Sequence, residues 1–431
     1  MRDLRREAEF IREKLNAKDN IEKWAFTVTT SRMEEFSASN SAFTLLRTTF
    51  KESLSLTVFI DGRKGTKTVS EISDKAVEKT IDEAVLTSSS ADRDEAFDIA
   101  PSIGKREIDR GDEGSTELFF SRIKELLDYI KENHPKLLVM DTVAQNTHFD
   151  TIYMNSNGTD CHTKGGFYES WLGFSAHEGE KATGISYTAF MTRSLDRPFI
   201  ELGSVRRDLI STENSLETVS PGEKFTGTCI FTPSCLGQFL EYFSDSLSDT
   251  AVMQGVSPLI GKLGEKIADE RITLTLESSN SGIANGEVIT ADGFSTEDTV
   301  IIENGVLKSF LLSLYASNKT GNNVTKNSSR DIVMREGDLS LDEIIAKTKR
   351  GLLVGGFSGG MPAVNGDFSG VAKNSFYIED GIILGAVTET MINGNIIEML
   401  SAVNDVSSER VSDGSTILPY LSVGGIVISS K

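Results

Sequence analysis

The amino-acid sequence predicts an α+β protein of two domains. Helices flank a mixed sheet in the first domain, and the second is mostly antiparallel β with one long helix. Three observations lead to this fold class. Helical periodicity alternates with short strand patterns before residue 137, and nearly continuous strand patterns then run from 137 to 193. After Pro221-Gly222 the chain becomes rich in glycine and β-branched residues, with a single strongly amphipathic helix.

The predicted N-terminal α/β domain spans residues 1–218. Apolar residues spaced i, i+3 and i+7 predict its first helix over residues 7–15. The same criterion predicts further helices over residues 73–85, 118–130 and 204–215. In the strand-rich part, residues 137–193, Asn157-Gly158 separates two alternating runs. We interpret it as a two-residue hairpin turn, which pairs residue i with residue 315 − i.

The predicted C-terminal β-rich domain spans residues 219–431. Its long helix is predicted near residues 233–248, because Thr232 suits the N-cap and Pro233 the first helical position. One apolar stripe comprises Leu236, Phe239, Leu240, Phe243 and Leu247, and another face carries Glu241, Asp245 and Asp249. Strands are predicted over residues 351–356, 376–384, 386–392 and 421–429.

Charge and composition exclude several classes of function. The chain has 44 Lys and Arg residues against 64 Asp and Glu, a net charge of −20. Such a surface disfavours binding to nucleic acid and to anionic membranes. No segment approaches the roughly 18–20 apolar residues of a spanning helix, and three cysteines are too few for a disulfide framework. We therefore expect a cytoplasmic protein with no nucleic-acid or membrane partner.

Two motifs suggest that the chain could hydrolyse a substrate on its own, and each of them also has an explanation that involves no catalysis. Gly356-Phe-Ser358-Gly-Gly360 matches a nucleophile elbow, but an elbow needs a helix after the serine, and glycines and Pro362 follow instead. Glu241 and Asp245 could act as acid and base or hold a hard cation, although a solvated or interface face of the helix is the favoured explanation. A hydrolase that uses Ser358 or these carboxylates stays an alternative.

A possible metal cluster in the strand-rich part fails on geometry. His148, Asp150, Cys161 and His162 are ligand-type residues. With the predicted hairpin register, His148 pairs with Phe167 and His162 pairs with Tyr153 on the opposite strand. These positions are too far apart to share one ion at the usual distance of about 2 Å.

The C-terminal half resembles the TldD/PmbA family, also called the "modulator of DNA gyrase" family. The resemblance rests on five segments that occur in the family's order: SPLIGKLGEKI at 257–267, ENGVLK at 303–308, KTGN at 319–322, GDFSGVA at 366–372 and INGNIIEML at 392–400. In this family TldD-type chains carry His-Glu-x-x-x-His on the long helix and a later cysteine. PmbA-type chains, also called TldE, lack these residues.

The resemblance identifies this chain with the PmbA type. Alignment on Pro233 and Gly237 puts Glu241 and Ser246 at the two histidine positions and Tyr242 at the position of the catalytic glutamate. No cysteine follows residue 235, so the later ligand is missing too. The resemblance therefore implies a chain that binds no metal and is non-catalytic on its own, with zinc expected in a TldD-type partner.

What the resemblance implies about function is a cytoplasmic metallopeptidase complex that processes or degrades small or unfolded polypeptides, including peptide maturation. A dimer is expected, which in isolation can be a homodimer. Asn322, Asn365 and Asp367 lie in family-like loops, and we interpret them as lining the peptide chamber or the subunit contact. Their alternative role is turn stabilisation. A non-enzymatic regulatory role, including the gyrase name, is the third hypothesis.

Overall fold

A long antiparallel sheet dominates the N-terminal part of the molecule. The computed structural model describes residues 3–111, 114–363 and 365–430. The N-terminal helices are α1 (Leu4–Asn16), α2 (Asp74–Ser89), α3 (Thr116–Asn133) and α4 (Val205–Asn214). The strands are β1 (Lys23–Ser39), β2 (Ala42–Ile60), β3 (Arg63–Val69), β4 (Lys105–Asp109), β5 (Leu137–Asn155), β6 (Asp160–Glu178), β7 (Lys181–Ala182) and β8 (Ser186–Thr192).

These strands pair in the order β3-β2-β1-β5-β6-β4, and β7 and β8 also pair with β6. In the described residues β4 and β6 run parallel and the other neighbours antiparallel, so the predicted mixed sheet is confirmed. Because side chains alternate along a strand, each strand gives the sheet two different faces. One face carries apolar side chains such as Phe26 and Phe174 under the helices. The opposite face is more polar.

The predicted register of the β5–β6 hairpin is wrong by one residue. Tyr153 pairs with Cys161, so the paired numbers sum to 153 + 161 = 314 instead of 315. The loop has three residues, because the Asn155 N–H donates to the Thr159 carbonyl oxygen at 3.2 Å. Gly158 closes this loop with a φ of +98°, a left-handed conformation that glycine adopts without steric cost. A longer loop therefore shifts every pair along both strands.

The corrected register brings His162 between two carboxylates. Its Nε2 lies 2.6 Å from Asp150 Oδ1, and its Nδ1 lies 2.8 Å from Glu107 Oε2. The ring thus serves as a bridge between strands β4, β5 and β6. Within the described ranges, no group of three or more His, Cys, Asp or Glu side chains is placed to hold a metal ion.

The C-terminal part contains a second, larger sheet. Its strands are β9 (Phe225–Phe231), β10 (Leu274–Leu276), β11 (Thr299–Glu303), β12 (Val306–Leu307), β13 (Ile332–Met334), β14 (Arg350–Val354), β15 (Gly356–Gly359), β16 (Asp367–Lys373), β17 (Ser375–Glu379), β18 (Ile382–Val387), β19 (Met391–Asn395), β20 (Val403–Ser412) and β21 (Ile417–Ser429). Its helices are α5 (Pro233–Asp245), α6 (Asp249–Met253), α7 (Leu314–Thr320), α8 (Leu341–Lys347) and α9 (Ile396–Ser401).

The main path of this sheet is β12-β11-β10-β13-β21-β9-β14-β17-β18, with a branch through β19, β16 and β15. Among the strand pairs of this sheet in the described residues, β13–β21 and β9–β14 are parallel and the others antiparallel, so the mostly antiparallel domain is confirmed. The boundary after residue 218 stays a prediction, and Thr218 already bridges to Ala386 in β18. None of the helices in the described ranges is long and apolar enough to cross a membrane.

Helix α7 is tied to the N-terminal part through Asp94. The Asp94 carboxylate accepts a hydrogen bond from the Tyr315 hydroxyl at 2.9 Å and lies 2.8 Å from Lys319 Nζ. The Lys319 ammonium, the Ala96 backbone N–H and the Tyr315 hydroxyl together lower the pKa of Asp94 from 3.8 to about 2. This carboxylate therefore joins two parts of the chain that are far apart in sequence.

Replacement of Asp94 by Asn should destabilise the protein at neutral pH. A carboxyl group with a depressed pKa stabilises the fold above its unfolded pKa of 3.8 and loses this effect as the pH falls toward about 2. The difference in urea midpoint between wild type and D94N should therefore shrink below pH 3.8. Asp92→Asn, at an exposed neighbour, is the matched control. A pH-independent difference would contradict the assignment.

Candidate functional site

Helix α5 is held in place by a cluster of aromatic rings. The buried Phe239 ring packs against Phe231, Phe357 and Phe368, with centroid distances of 5.1, 5.1 and 4.8 Å. These rings come from β9, β15 and β16, so one side chain fixes the helix against three strands. Edge-on and tilted pairs of this kind add about 0.5–1.5 kcal/mol each to the burial of the rings.

The predicted long helix ends earlier than expected. The Ser246 hydroxyl donates to the Phe243 carbonyl oxygen at 2.6 Å, and the Ser248 hydroxyl donates to the Asp245 carbonyl oxygen at 2.7 Å. Serine hydroxyls compete in this way for carbonyls that would continue the helix. Helix α5 therefore ends at Asp245, and Ser248 caps the separate helix α6.

The early end corrects the predicted acidic face. Asp249 belongs to α6, and its carboxylate accepts hydrogen bonds from the backbone N–H and the hydroxyl of Ser313 at 2.8 and 2.5 Å. It therefore does not share a helix face with Glu241 and Asp245, and it anchors the start of α7 instead.

Glu241 and Asp245 are bridged by one arginine. Arg330 Nη1 lies 3.2 Å from Glu241 Oε1, and Arg330 Nη2 lies 3.0 Å from Asp245 Oδ1. All three side chains are about half exposed, so the ion pairs add at most about 1 kcal/mol to stability. The guanidinium nevertheless supplies positive charge to both carboxylates on this helix face.

These residues do not fit a zinc centre. Structural and catalytic zinc sites are built from imidazole and thiolate ligands with few carboxylates. The family positions here offer the carboxylate of Glu241, the phenol of Tyr242 and the hydroxyl of Ser246. The Glu241 carboxylate is already paired with Arg330, and the Ser246 hydroxyl donates to backbone.

Tyr242 and Ser246 line a cavity of about 190 Å³ beside the C-terminal end of α5. The Tyr242 hydroxyl accepts a hydrogen bond from Gln238 Nε2 at 3.2 Å. Phe243 and Asp245 of α5 line the cavity as well, and the Asp245 carboxylate is already paired with Arg330. The remaining walls are mostly apolar and come from three places: Ala251, Val256, Ser257 and Pro258, then Met361, Pro362, Ala363 and Gly366, and finally Ile396 and Ile397. Such a cavity suits an apolar side chain better than an ion.

Asn365 and Asp367 lie on either side of Gly366, at the rim of this cavity. Asn365 Nδ2 donates to Asp367 Oδ2 at 2.7 Å, and Asn395 Nδ2 donates to Asp367 Oδ1 at 2.9 Å. The Asn395 and Asn365 amides hold the pKa of Asp367 below its usual value. Both predicted residues thus shape the loop that walls the cavity. Their direct contact with a peptide stays a prediction.

Asn322 lies elsewhere, just after helix α7. Its backbone carbonyl oxygen accepts a hydrogen bond from the Ser317 hydroxyl at 2.7 Å, and its N–H donates to Thr320 Oγ1 at 3.4 Å. It is not among the residues that line the cavity at α5. The structure therefore brings two of the three predicted contact residues together and leaves Asn322 apart.

Ser358 is exposed in strand β15, and the next described element is strand β16. The strand–turn–helix geometry of a nucleophile elbow is not formed by the described residues around it. All four histidines of the chain lie at or before position 177. The hydrogen bonds and ion pairs described for His134, His162 and His177 go to residues other than Ser358, which would need such a base.

Comparison with known proteins agrees with this description. Residues 225–430 match the family model described as the PmbA/TldA metallopeptidase C-terminal domain. A protein named metalloprotease from Methanothermobacter thermautotrophicus is 33% identical over 190 residues, 41% of this chain and 42% of the relative. The chain spans between 42% and 66% of the length of the first three curated relatives it matches.

Two solved structures share the whole fold. TldE from Thermococcus kodakarensis superposes with a TM-score of 0.85 at 22% identity, over 98% of this chain and 99% of that one. A Bacteroides thetaiotaomicron protein that carries the name modulator of DNA gyrase has a TM-score of 0.87 at 22% identity, over 100% of both chains. Residues 225–430 thus match a metallopeptidase C-terminal domain, and the two solved structures share the fold of the chain. The match of residues 225–430 to a PmbA/TldA-type domain is the resemblance that the sequence motifs predict.

Sequence reasoning missed two residues that shape this site. Arg330 is 89 positions from Glu241, and no local pattern announces their pairing. Asn395 lies in the INGNIIEML segment at 392–400. An asparagine directly before an apolar helical turn is a recognisable N-cap signal. That signal could have identified the start of α9 but not the second contact with Asp367.

Replacement of Asn395 by Ala should destabilise the protein and loosen the loop. The Asn395 side chain caps α9 by accepting from the Ile397 and Glu398 N–H groups at 2.9 and 3.2 Å, and its amide also donates to Asp367. We expect a loss of about 1 kcal/mol from the cap in urea unfolding, and a rise in the pKa of Asp367 in a carboxyl NMR titration. Asn393→Ala, in the same strand, is the control. An unchanged Asp367 pKa in N395A would contradict the assignment.

Proposed function

We propose that this chain is the non-catalytic, PmbA/TldE-type subunit of a cytoplasmic peptidase complex. Its partner is a TldD-like chain that carries His-Glu-x-x-x-His and holds the zinc, and the substrates are small or unfolded polypeptides. Peptide maturation is one process that such a complex would serve. This chain itself binds no zinc and forms a dimer, either with the partner or with a second copy.

One observation carries this proposal: the family's helix is kept in shape while its ligand positions are replaced. Four aromatic rings fix α5, yet Glu241 pairs with Arg330 and Ser246 donates to backbone. A site that retains its architecture but not its metal chemistry suits a chain that binds or encloses a polypeptide for a catalytic partner.

The surroundings of the cavity favour an extended peptide as the bound species. In the described part of the chain β15 pairs only with β16, so its other edge is unpaired. Just beyond β15, Met361 and Ala363 form a wall of the cavity at α5, and Met361 is 76% exposed. A peptide strand could add to this edge through its backbone and place an apolar side chain in the cavity.

The subunit role is tested by mixing this chain with a TldD-like partner. We expect co-elution on size exclusion, cleavage of an unfolded polypeptide by the mixture, and neither cleavage nor bound zinc for this chain alone. The matched control is the partner with its motif glutamate changed to Gln, which should still co-elute but not cleave. Stoichiometric zinc or cleavage in the isolated chain would contradict the proposal, as would a partner that cleaves equally well without it.

Filling the cavity should weaken substrate binding within the complex. Ala363→Trp would project a large ring from an exposed loop position into the 190 Å³ cavity. A substrate could then no longer bury an aliphatic side chain in the cavity, which weakens its binding by about 1.5 kcal/mol. This loss corresponds to a KM about tenfold higher, with kcat nearly unchanged. Ala363→Ser, which leaves the cavity open, is the control. Equal KM values for the two variants would place the peptide elsewhere.

A further inference from the structure

A second cavity lies on the polar face of the N-terminal sheet, away from α5. Its volume is about 300 Å³, at the lower end of the range for pockets that hold small ligands. Side chains of β5, β6 and β8 form its floor, and the turn at Asp413 and Ser415 of the C-terminal part closes one side. The Asp413 carbonyl oxygen accepts a hydrogen bond from the Met191 N–H at 2.6 Å, which fixes that turn against β8.

A row of paired residues crosses the sheet into this cavity. Arg47, Glu35, Gln145, Glu169 and Met191 are direct neighbours on β2, β1, β5, β6 and β8. Directly paired residues place their side chains on the same face of a sheet. Polar groups therefore continue from one strand to the next, and the row reaches the cavity at its last three members.

Of the two carboxylates in this row, Glu35 has a cationic partner and Glu169 has none among the described residues. The Glu35 carboxylate lies 3.0 Å from Arg47 Nη2 and accepts a hydrogen bond from Gln145 Nε2 at 2.6 Å. The Glu169 carboxylate has neither a hydrogen bond nor an ion pair with any residue that the structure describes. Burial raises the pKa of the Glu169 carboxyl, and no cation counteracts this shift.

The polar groups of the cavity are mostly acceptors. Gln145 donates one of its two side-chain N–H groups to Glu35, which leaves its amide oxygen and its second N–H without a partner among the hydrogen bonds of the cavity. The Ser170 hydroxyl donates to the Val143 carbonyl oxygen at 3.2 Å, and the Ser415 hydroxyl donates to Asp413 Oδ1 at 2.9 Å. The described side-chain donors of the cavity that stay available are therefore the indole N–H of Trp171 and the second N–H of Gln145, whereas both serine hydroxyls are engaged.

Trp171 gives the cavity an aromatic wall. Trp171 lies two residues after Glu169 in β6, so both side chains are on the same face of the sheet. The indole is 41% exposed and packs against the Tyr187 ring, with a centroid distance of 6.5 Å. An indole ring attracts cations through its face more strongly than other aromatic side chains do. A single unpaired carboxylate beside an indole suits an organic cation better than a divalent metal, which requires several oxygen ligands.

We propose that this cavity binds the cationic side chain of a lysine or arginine residue of a polypeptide. The ammonium or guanidinium group, which only donates, would meet the carboxylate of Glu169 and the amide oxygen of Gln145, while the aliphatic stem would lie along Trp171 and Met191. The inference rests on the proposed function only for the polypeptide nature of the ligand. Binding of the side chain itself is a property of the isolated chain.

Trp171 is also the reporter for the test. The chain has two tryptophans, and Trp24 is only 5% exposed, so a ligand in this cavity changes the emission of Trp171. The isolated full chain is titrated with N-acetyl-lysine amide and N-acetyl-arginine amide. N-acetyl-norleucine amide, which keeps the stem but lacks the charge, is the control probe, and calorimetry checks each affinity.

We expect a saturable response to at least one cationic probe and none to the norleucine probe. Glu169→Gln should weaken that binding about tenfold or more, because a hydrogen-bonded ion pair is lost. Glu178→Gln, at the exposed end of the same strand where the carboxylate pairs with Lys136, should leave it unchanged. Thermal unfolding checks that each variant folds.

Three results would overturn the inference: equal binding of the norleucine probe, unchanged affinity in E169Q, or no saturable response to either cation in the millimolar range. Since no partner subunit or cleavage takes part, these results leave the proposed subunit role untouched. Conversely, failure of the chain to join a TldD-like partner would not alter the response of Trp171.

Discussion

Burial of Phe239 among three other phenylalanine rings is the constraint on which the candidate site depends. The rings belong to one helix and three strands, and they fix the rotation of α5 about its axis. Once the rotation is fixed, 3.6 residues per turn determine which side chains face the strands and which face outward. Glu241 then points to the surface, and Tyr242 turns toward the cavity.

The same geometry explains why residues at positions 241, 242 and 246 can differ between related chains without disturbing the fold. Of the three positions at which the family's metal residues would lie, Glu241 is on the outer side of α5, Tyr242 lines the cavity and Ser246 follows the end of the helix. The Phe239 ring, which stabilises the helix, lies on its inner side. Arg330 places a guanidinium against two carboxylates, Glu241 and Asp245, that are one helical turn apart and would otherwise repel each other. Substitutions on the outer face thus change its chemistry and leave the aromatic cluster intact.

How far the sequence predicts this molecule depends on the range of the interactions involved. The start of α5 is predictable because Thr232 and Pro233 are local signals, and the Thr232 hydroxyl indeed accepts from the Cys235 N–H at 3.4 Å. The predicted end of α5 is three residues too late, because serine hydroxyls bond the carbonyl groups that would continue the helix. The predicted β5–β6 register is wrong by one residue, because the loop contains a third residue. The partners of Glu241 and Asp367 come from distant segments, so they emerge only when the sheets assemble.

Glu169 shows which part of the net charge of −20 is relevant to ligand binding. A chain with 64 acidic and 44 basic residues must leave some carboxylates without a cationic partner, so an unpaired acid is by itself unremarkable. Exposed carboxylates are hydrated at little cost, but Glu169 is half-buried in a cavity whose serine hydroxyls and second carboxylate, Asp413, are already hydrogen-bonded. Water can solvate such a group only in part, and a donor-only cation beside an indole supplies both charge and hydrogen bonds. The location of this one carboxylate, and not the acidic excess as a whole, is therefore what argues for a ligand.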